Sequence, residues 1–431
     1  MIMSLKKSED TFSPHLEQIG TSPSLGGNEG GSKKLIRTST IPTSIYSFCK
    51  GLFPKLKEEG YEVVVVSSPG ERLQAIAERD GVRTIAVPME RRIAPLKDLR
   101  SLWQMWRVLR RERPDMVHSI TPKAGLVTMV AGWLARVPVR IHMFTGLVFP
   151  TSKGLKRLLL MATDWLTCAC ATHVIPEGEG VKADLLNHHI TRKPIAVLGY
   201  GNIQGIDLTY FNCEEPPSPP KSPLKRGTSC SGSKTELPPL QGGLGGATQG
   251  FHFVFVGRLV GDKGMNELVG AFKRLHDEFP ETELTLVGAY EENIDPVLPE
   301  TQAEIERNPG IHAVGRQNDV RPFYAAADAL VFPSYREGFP NVVIEAGAMG
   351  LPSIVTDING SREIIIDGKN GVIVPPRDEE ALYGAMRHWV THRDEVARMA
   401  AEARPLVESR YEQGYVHQCL IDFYKQCLRN K

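Results

Sequence analysis

The sequence predicts an α/β chain built from two doubly wound, parallel-sheet domains that face each other across a cleft. Three observations carry this prediction. Short apolar runs alternate with amphipathic segments between Lys34 and Asn212. The alternation stops in a Pro/Ser/Gly-rich stretch and restarts at Phe251. The length of 431 residues accommodates two or three domains of about 150 residues each. Strands that alternate with helices form parallel sheets with crossover helices on both faces. Such sheets take ligands beyond the carboxyl ends of their strands.

Taken in order, residues 1–33 are polar, rich in Gly and Ser and without periodicity, and read as a disordered tail. The first series, residues 34–212, has strand-like runs at LIRTS, YEVVVVS, TIAV, DMVHSI, PVRIHMF, THVIP and IAVLG. Helical periodicity falls between them at 44–59, 70–79, 96–112, 123–135, 153–170 and 178–187. Residues 213–250 carry too little apolar surface for a core and read as a linker or insertion. The second series, 251–405, runs through FHFVFVG, a helix from Gly264 to Phe279, ETELTLVG, ALVFP, a helix from Asn341, SIVT and GVIV. The last segment, 406–431, contains a further candidate helix, Leu406–Leu428.

Composition excludes several classes. Apolar residues make up 41% and charged residues 23%, ordinary globular usage, so a fibrous or wholly disordered chain is ruled out. Charged residues interrupt the longest apolar stretches, which argues against a transmembrane helix. MIMSLKKSED lacks the apolar core of a secretory signal. Seven irregularly spaced cysteines fit a reducing compartment, and the Cys168-x-Cys170 pair has no second half that would complete a zinc site.

The net charge of +1 conceals an asymmetry. Residues 1–212 hold 28 Lys+Arg against 19 Asp+Glu, whereas residues 251–431 hold 19 against 28. A basic first half beside an acidic second half favours an anionic partner for the first. No helix-turn-helix, zinc finger or aromatic RNA-binding motif accompanies the charge, so diphosphate substrates and anionic lipid fit better than nucleic acid.

The informative chemistry lies in the second series. In FVGRLVGDKG, Phe255–Gly264, a strand ends, Gly257 opens a turn, and Arg258 and Lys263 precede a helix start. Two cations beside a helix N-terminus suit a diphosphate. In SYREGFPNVVIEAGAMGLP, Ser334–Pro352, Glu337 lies in the loop after a strand. Glu345 lies four residues into the helix that opens at Asn341. One carboxylate can meet sugar or ribose hydroxyls from the loop and the other from the helix. The amides of Asn341 and Val342 are free at a helix start.

These residues resemble the family 4 glycosyltransferases. E-G-F-P-N-V-V-I-E-A is similar to that family's E-x7-E signature, and Gly-Arg-Leu…Lys-Gly to its diphosphate-binding R-x4-K. NIQGIDLTYF, Asn202–Phe211, looks like the segment closing the family's first lobe. The resemblance implies the GT-B architecture, in which two Rossmann-like domains are joined by a C-terminal helix crossing back to the first. It implies retention of anomeric configuration and no metal; the chain contains no D-x-D sequence. It assigns Arg258 and Lys263 to the diphosphate of a nucleotide sugar, with uridine diphosphate expected, Glu337 to sugar hydroxyls and Glu345 to the ribose. Gly257 and the backbone of Gly338, Phe339, Asn341 and Val342 complete the donor cradle.

The first series, VHSITPKAGLVTMVAGWLARVPVRIHMFTGLVFPTSKG, resembles bacterial enzymes that add N-acetylhexosamine to undecaprenyl-diphosphate-linked glycans. That implies a glycan or polyprenyl-diphosphate-linked acceptor. His118, Lys123, His142, Thr145 and Gly146 are then expected at strand ends facing the cleft, with His142 the acceptor-side catalytic candidate. Thr145-Gly146 stands where many members carry His-Gly.

PLKDLRSLWQMWRVLRRERP, Pro95–Pro114, sets Leu96, Leu99, Leu102, Trp103, Trp106 and Leu109 on one helical face beside basic residues. KGLKRLLLMATDWL, from Lys153, is a second basic-apolar segment. Both fit peripheral binding to an anionic membrane at the cytoplasmic face. Two other readings stay open: a noncatalytic nucleotide-sugar-binding protein of envelope assembly, and a nucleotide-sugar 2-epimerase on the same fold.

Overall fold

The computed structural model describes residues 32–90, 94–212, 250–291 and 295–429. The expected tail and insertion lie outside the described residues, apart from their ends at 32–33 and 250. The first sheet contains β1 (Lys33–Thr38), β2 (Tyr61–Ser67), β3 (Arg83–Ala86), β4 (Met116–Ile120), β5 (Val139–Phe144) and β6 (His173–Pro176). Its order is β3-β2-β1-β4-β5-β6, and every pairing is parallel. The second sheet contains β7 (His252–Val256), β8 (Glu283–Val287), β9 (Ile311–Gly315), β10 (Ala329–Phe332), β11 (Ser353–Thr356) and β12 (Gly371–Val374). Its order, β12-β11-β10-β7-β8-β9, repeats the first. Each sheet therefore reverses direction once, between β1 and β4 and between β7 and β10. Loops on either side of such a reversal splay apart and leave a ligand crevice.

The runs are largely apolar because both faces of each sheet are covered. In β2, Val63 and Val65 enter a core with Leu52, Phe53 and Leu420. Val64 and Val66 enter the opposite core with Met105, Leu109 and Val127. The second lobe has a core of its own around Phe253, Phe255, Leu286, Val331 and Trp389.

Several expected elements differ. IAVLG, residues 195–199, is irregular rather than a strand. The expected helix 44–59 is two helices, Pro42–Phe48 and Leu52–Glu58, separated where Gly51 adopts a left-handed φ of 76°. IHAVG forms β9, which the apolar alternation alone did not single out.

Leu406–Leu428 is also not one helix. A helix Arg393–Tyr411 ends in the second lobe's core, and Gln413–Arg429 starts anew. The break has a tertiary cause. Ile206 forms a β-bridge with Glu412, donating its N–H to Tyr411 O at 2.7 Å and accepting from Gln413 N at 3.0 Å. The Glu412 carboxylate then caps the new helix, accepting from the amides of Gly414 and Tyr415 at 2.7 and 2.8 Å. The new helix buries Leu420, Ile421, Tyr424 and Cys427 in the first lobe's core.

Candidate functional site

The loops after β7 and β10 lie on either side of the second sheet's reversal, and hydrogen bonds to one carbonyl join them. Tyr335 N donates to Asp262 O at 2.9 Å, and Ser334 Oγ reaches the same oxygen at 3.3 Å. Gly264 makes this approach possible: its φ is 71°, and a Cβ there would collide with Pro333 O. The result brings Lys263 and Glu337 into a direct ion pair, with Ser334 Oγ also donating to Glu337 at 2.8 Å. Only 13% and 18% of the two side chains remain exposed, so solvent screens the pair weakly. Arg258 points elsewhere, donating to Glu291 at 2.9 Å in an exposed pair. The two cations expected to act together are thus held on separate carboxylates.

The helix Asn341–Ala348 begins beside the pair. Asn341 spends its side chain on the first lobe's closing segment, accepting from Asn202 Nδ2 at 2.8 Å and donating to Gln204 at 3.1 Å. What it and Val342 can offer a ligand is backbone N–H. Glu345 accepts from Tyr324 OH at 3.1 Å. Burial raises its carboxyl to about 7, and the Tyr324 hydrogen bond opposes the shift. Phe339 turns its ring inward, edge-on to Tyr411 with centroids 5.6 Å apart, and so anchors the loop.

Thr145 and Gly146, after β5, meet the donor-side loop directly. A Cβ on Gly338 would run into the carbonyl of Thr145, so glycine there permits the lobes to touch backbone to backbone. The lobes are also joined by Glu363, which accepts from the amides of Glu179 and Gly180 at 2.6 and 3.0 Å. Those amides open the helix Glu179–Asn187.

Three acceptor-side expectations need correction. His142 is 1% exposed, bonded through Nδ1 to Ser119 Oγ at 2.8 Å, and packed on Gly125, where no Cβ would fit. Burial lowers its pKa to about 3, so it is a neutral core residue. His118 is fully buried, with Nδ1 bonded to Arg37 and to Tyr424 OH behind the sheet. Lys123 donates to Asp98 at 2.7 and 2.9 Å, joining two helices of the first lobe. Strand position alone leaves open which face a neighbouring helix covers, and in both histidines' case the covered face won.

Sequence reasoning missed Glu177, Tyr324, Ser334 and Glu363. Glu177 follows β6 at the carboxyl end of the first sheet, so its place after a predicted strand was the available signal. Burial first, and then the charges of Glu363 and Glu337, push its carboxyl up to about 8. Among the described residues, no group of three His, Cys, Asp or Glu is arranged as a metal site.

Comparison with known proteins decides the family. The profile for glycosyl transferases group 1 matches residues 250–392, and that for the glycosyl transferase 4-like domain matches residues 48–201. The chain is a glycosyltransferase. It is 27% identical, across 92% of its length and 98% of the relative's, to the Staphylococcus aureus capsular polysaccharide biosynthesis glycosyltransferase CapM. It is 22% identical, across 90% of its length, to 97% of a Campylobacter jejuni enzyme. That enzyme is the N,N'-diacetylbacillosaminyl-diphospho-undecaprenol alpha-1,3-N-acetylgalactosaminyltransferase. Among solved structures, Anabaena Alr3699/HepE in complex with UDP superposes with a TM-score of 0.70 at 17% identity, covering 91% of this chain and all of that one. At that identity the match speaks for the fold, and the fold of this glycosyltransferase is GT-B.

Proposed function

We propose that this glycosyltransferase moves a sugar from a uridine diphosphate sugar to a hydroxyl of a polyprenyl-diphosphate-linked glycan, with retention at the anomeric carbon. The observation that carries this reading is the Lys263–Glu337 pair at the reversal between β7 and β10. It sets a diphosphate-binding cation against a hydroxyl-binding carboxylate, flanked by the starts of the helices Met265–Glu278 and Asn341–Ala348. The bond from the anomeric carbon to the diphosphate oxygen breaks, and its electron pair leaves on the nucleoside diphosphate. Lys263, Arg258 and the helix-start amides offset that charge. Glu337 holds sugar hydroxyls, and Glu345, aimed by Tyr324, holds the ribose.

A membrane surface is the second part of the proposal. Three adjoining helices of the first lobe, Pro95–Glu112, Pro122–Ala135 and Gly154–Cys170, expose large apolar side chains. These include Leu96, Trp103, Trp133, Leu155, Leu158 and Trp165, all more than half exposed. The expected stripe on the first helix divides: Leu109 enters the core and Leu102 and Trp106 pack against it, while Leu96, Leu99 and Trp103 face out. Arg107 lies 4.7 Å from the Trp103 ring centre, and Lys97, Arg100, Lys156 and Arg157 accompany the patch. Apolar side chains with a basic fringe match an anionic membrane. No helix of the described residues is long and apolar enough to span one. The exposed apolar and basic patch supports peripheral attachment, and the proposal puts it at the cytoplasmic face of the plasma membrane, where a lipid-linked acceptor is reached.

The test is a screen of radiolabelled nucleotide sugars with purified protein and bacterial lipid extract. Label moving from a UDP-sugar into the lipid phase supports the reading. Hydrolysis, epimerisation or no turnover with every donor overturns it.

A further inference from the structure

We propose that Glu177 touches the sugar being transferred, donating a hydrogen bond from its carboxyl O–H to a sugar hydroxyl. The inference rests on the nucleotide-sugar reading above and adds a residue from the opposite lobe.

Position comes first. Glu177 follows β6, where the first lobe meets the second. Its backbone is held on both sides: its N–H donates to Phe144 O at 3.0 Å, and its carbonyl accepts from Asn202 N at 2.9 Å. The side chain of Asn202 in turn donates to Asn341 at the start of the donor-side helix, at 2.8 Å. Gly201 completes the junction, because a Cβ there would strike both Glu177 O and the Phe339 ring. Glu177 is therefore fixed beside the loop that carries Glu337.

Its surroundings supply the chemistry. Glu177 is 4% exposed, and no hydrogen bond to its carboxyl is made among the described residues. The charged groups acting on it are Glu363 and Glu337, both carboxylates of the second lobe. Lys263 is already committed to Glu337, and Glu363 is satisfied by the amides of Glu179 and Gly180. A buried carboxyl facing two carboxylates keeps its proton. In that state it is a neutral donor, whereas Glu337 and Glu363 are engaged as acceptors. Sugar hydroxyls need donors as well as acceptors. A neutral group also avoids adding a third negative charge beside an incoming diphosphate.

The experiment compares wild type, Glu177→Gln and Glu177→Ala with the best UDP-sugar from the donor screen, and with UDP alone. An amide remains a neutral donor, so E177Q is expected to stay within about threefold of wild type at pH 7. E177A is expected to lose about tenfold to a hundredfold in kcat/KM, the scale of one lost hydrogen bond to substrate. UDP lacks the sugar, so its Kd should be the same in all three, which a merely structural role would not ensure. In wild type, kcat/KM should fall as pH rises past about 8, where the acid ionises, and E177Q should lack that limb. Three results would each overturn the proposal: an E177A variant as active as wild type, a weakened UDP Kd in E177A, or an E177Q variant as poor as E177A. A wild type that turns over no nucleotide sugar overturns the donor reading itself, which is a separate outcome.

Discussion

Lys263 and Glu337 come from loops after different strands, 74 residues apart, and meet in an ion pair that is mostly withdrawn from solvent. The pair exists because Gly264 lets one loop pass over Pro333 and because Ser334 steadies the same carboxylate. Each partner relieves the other's desolvation, so removing one leaves an uncompensated charge.

That mutual dependence predicts non-additive kinetics. Lys263→Ala should lower kcat/KM by about 10²–10³, the scale of one lost transition-state donor. Arg258→Ala should lower it less, since Arg258 rests on Glu291 in an exposed pair. The double variant K263A/E337A should lose less than the sum of the single losses in free energy, because the two side chains share one interaction. Steady-state kinetics on wild type, K263A, R258A, E337A and the double variant checks this.

Glu345 predicts a pH-dependent donor affinity. A carboxylate accepts from ribose hydroxyls, whereas the protonated form accepts less well. The KM for the donor should therefore rise as pH falls through about 7, the value to which burial lifts this carboxyl. Tyr324→Phe removes the hydrogen bond that favours the charged form, so the inflection should move to higher pH. KM measured from pH 6 to 9 reads both effects.

Much of this site was legible because it sits in loops after strong strands. Arg258, Lys263, Glu337 and Glu345 follow or flank β7 and β10 at fixed offsets, and glycines mark the turns. What was not legible depends on contacts distant in sequence. Gly338 against Thr145 and Glu363 against Gly180 exist only once the lobes meet. His118 and His142 looked like cleft residues because alternation identifies faces but not what covers them. Tyr424 comes from a helix some 300 residues downstream of His118. The break at Glu412 is imposed by Ile206 rather than by a Gly or Pro at that point.

Asp164 predicts a stability effect outside the site. Burial raises its carboxyl to about 7, above an unfolded value of about 3.9. A folded pKa that is raised means the folded state holds the proton more tightly. Stability is then full at low pH and is lost as pH rises from about 4 through 7. Asp164→Asn should therefore be more stable than wild type at pH 8, by about 2–4 kcal/mol, with the difference closing near pH 4. Urea unfolding at the two pH values measures it.

The apolar and basic helices predict peripheral membrane binding. The protein should float with vesicles containing anionic lipid, and less so as salt rises, because the basic fringe is exposed and screened. Replacing Arg107, Arg110 and Arg111 together with Ser should reduce flotation. Replacing Trp133 and Trp165 with Ser should reduce it at every salt concentration. Binding that ignores both sets would remove the membrane from the account.

The central claim is that the Lys263–Glu337 loops hold a nucleoside diphosphate. Calorimetric titration of UDP into wild type and Lys263→Ala, with matched unfolding midpoints, tests it most directly. The account predicts saturable binding at one site in wild type and a Kd at least tenfold weaker in the variant, about 1.4 kcal/mol. No binding to wild type, or equal Kd in the two proteins, would contradict it.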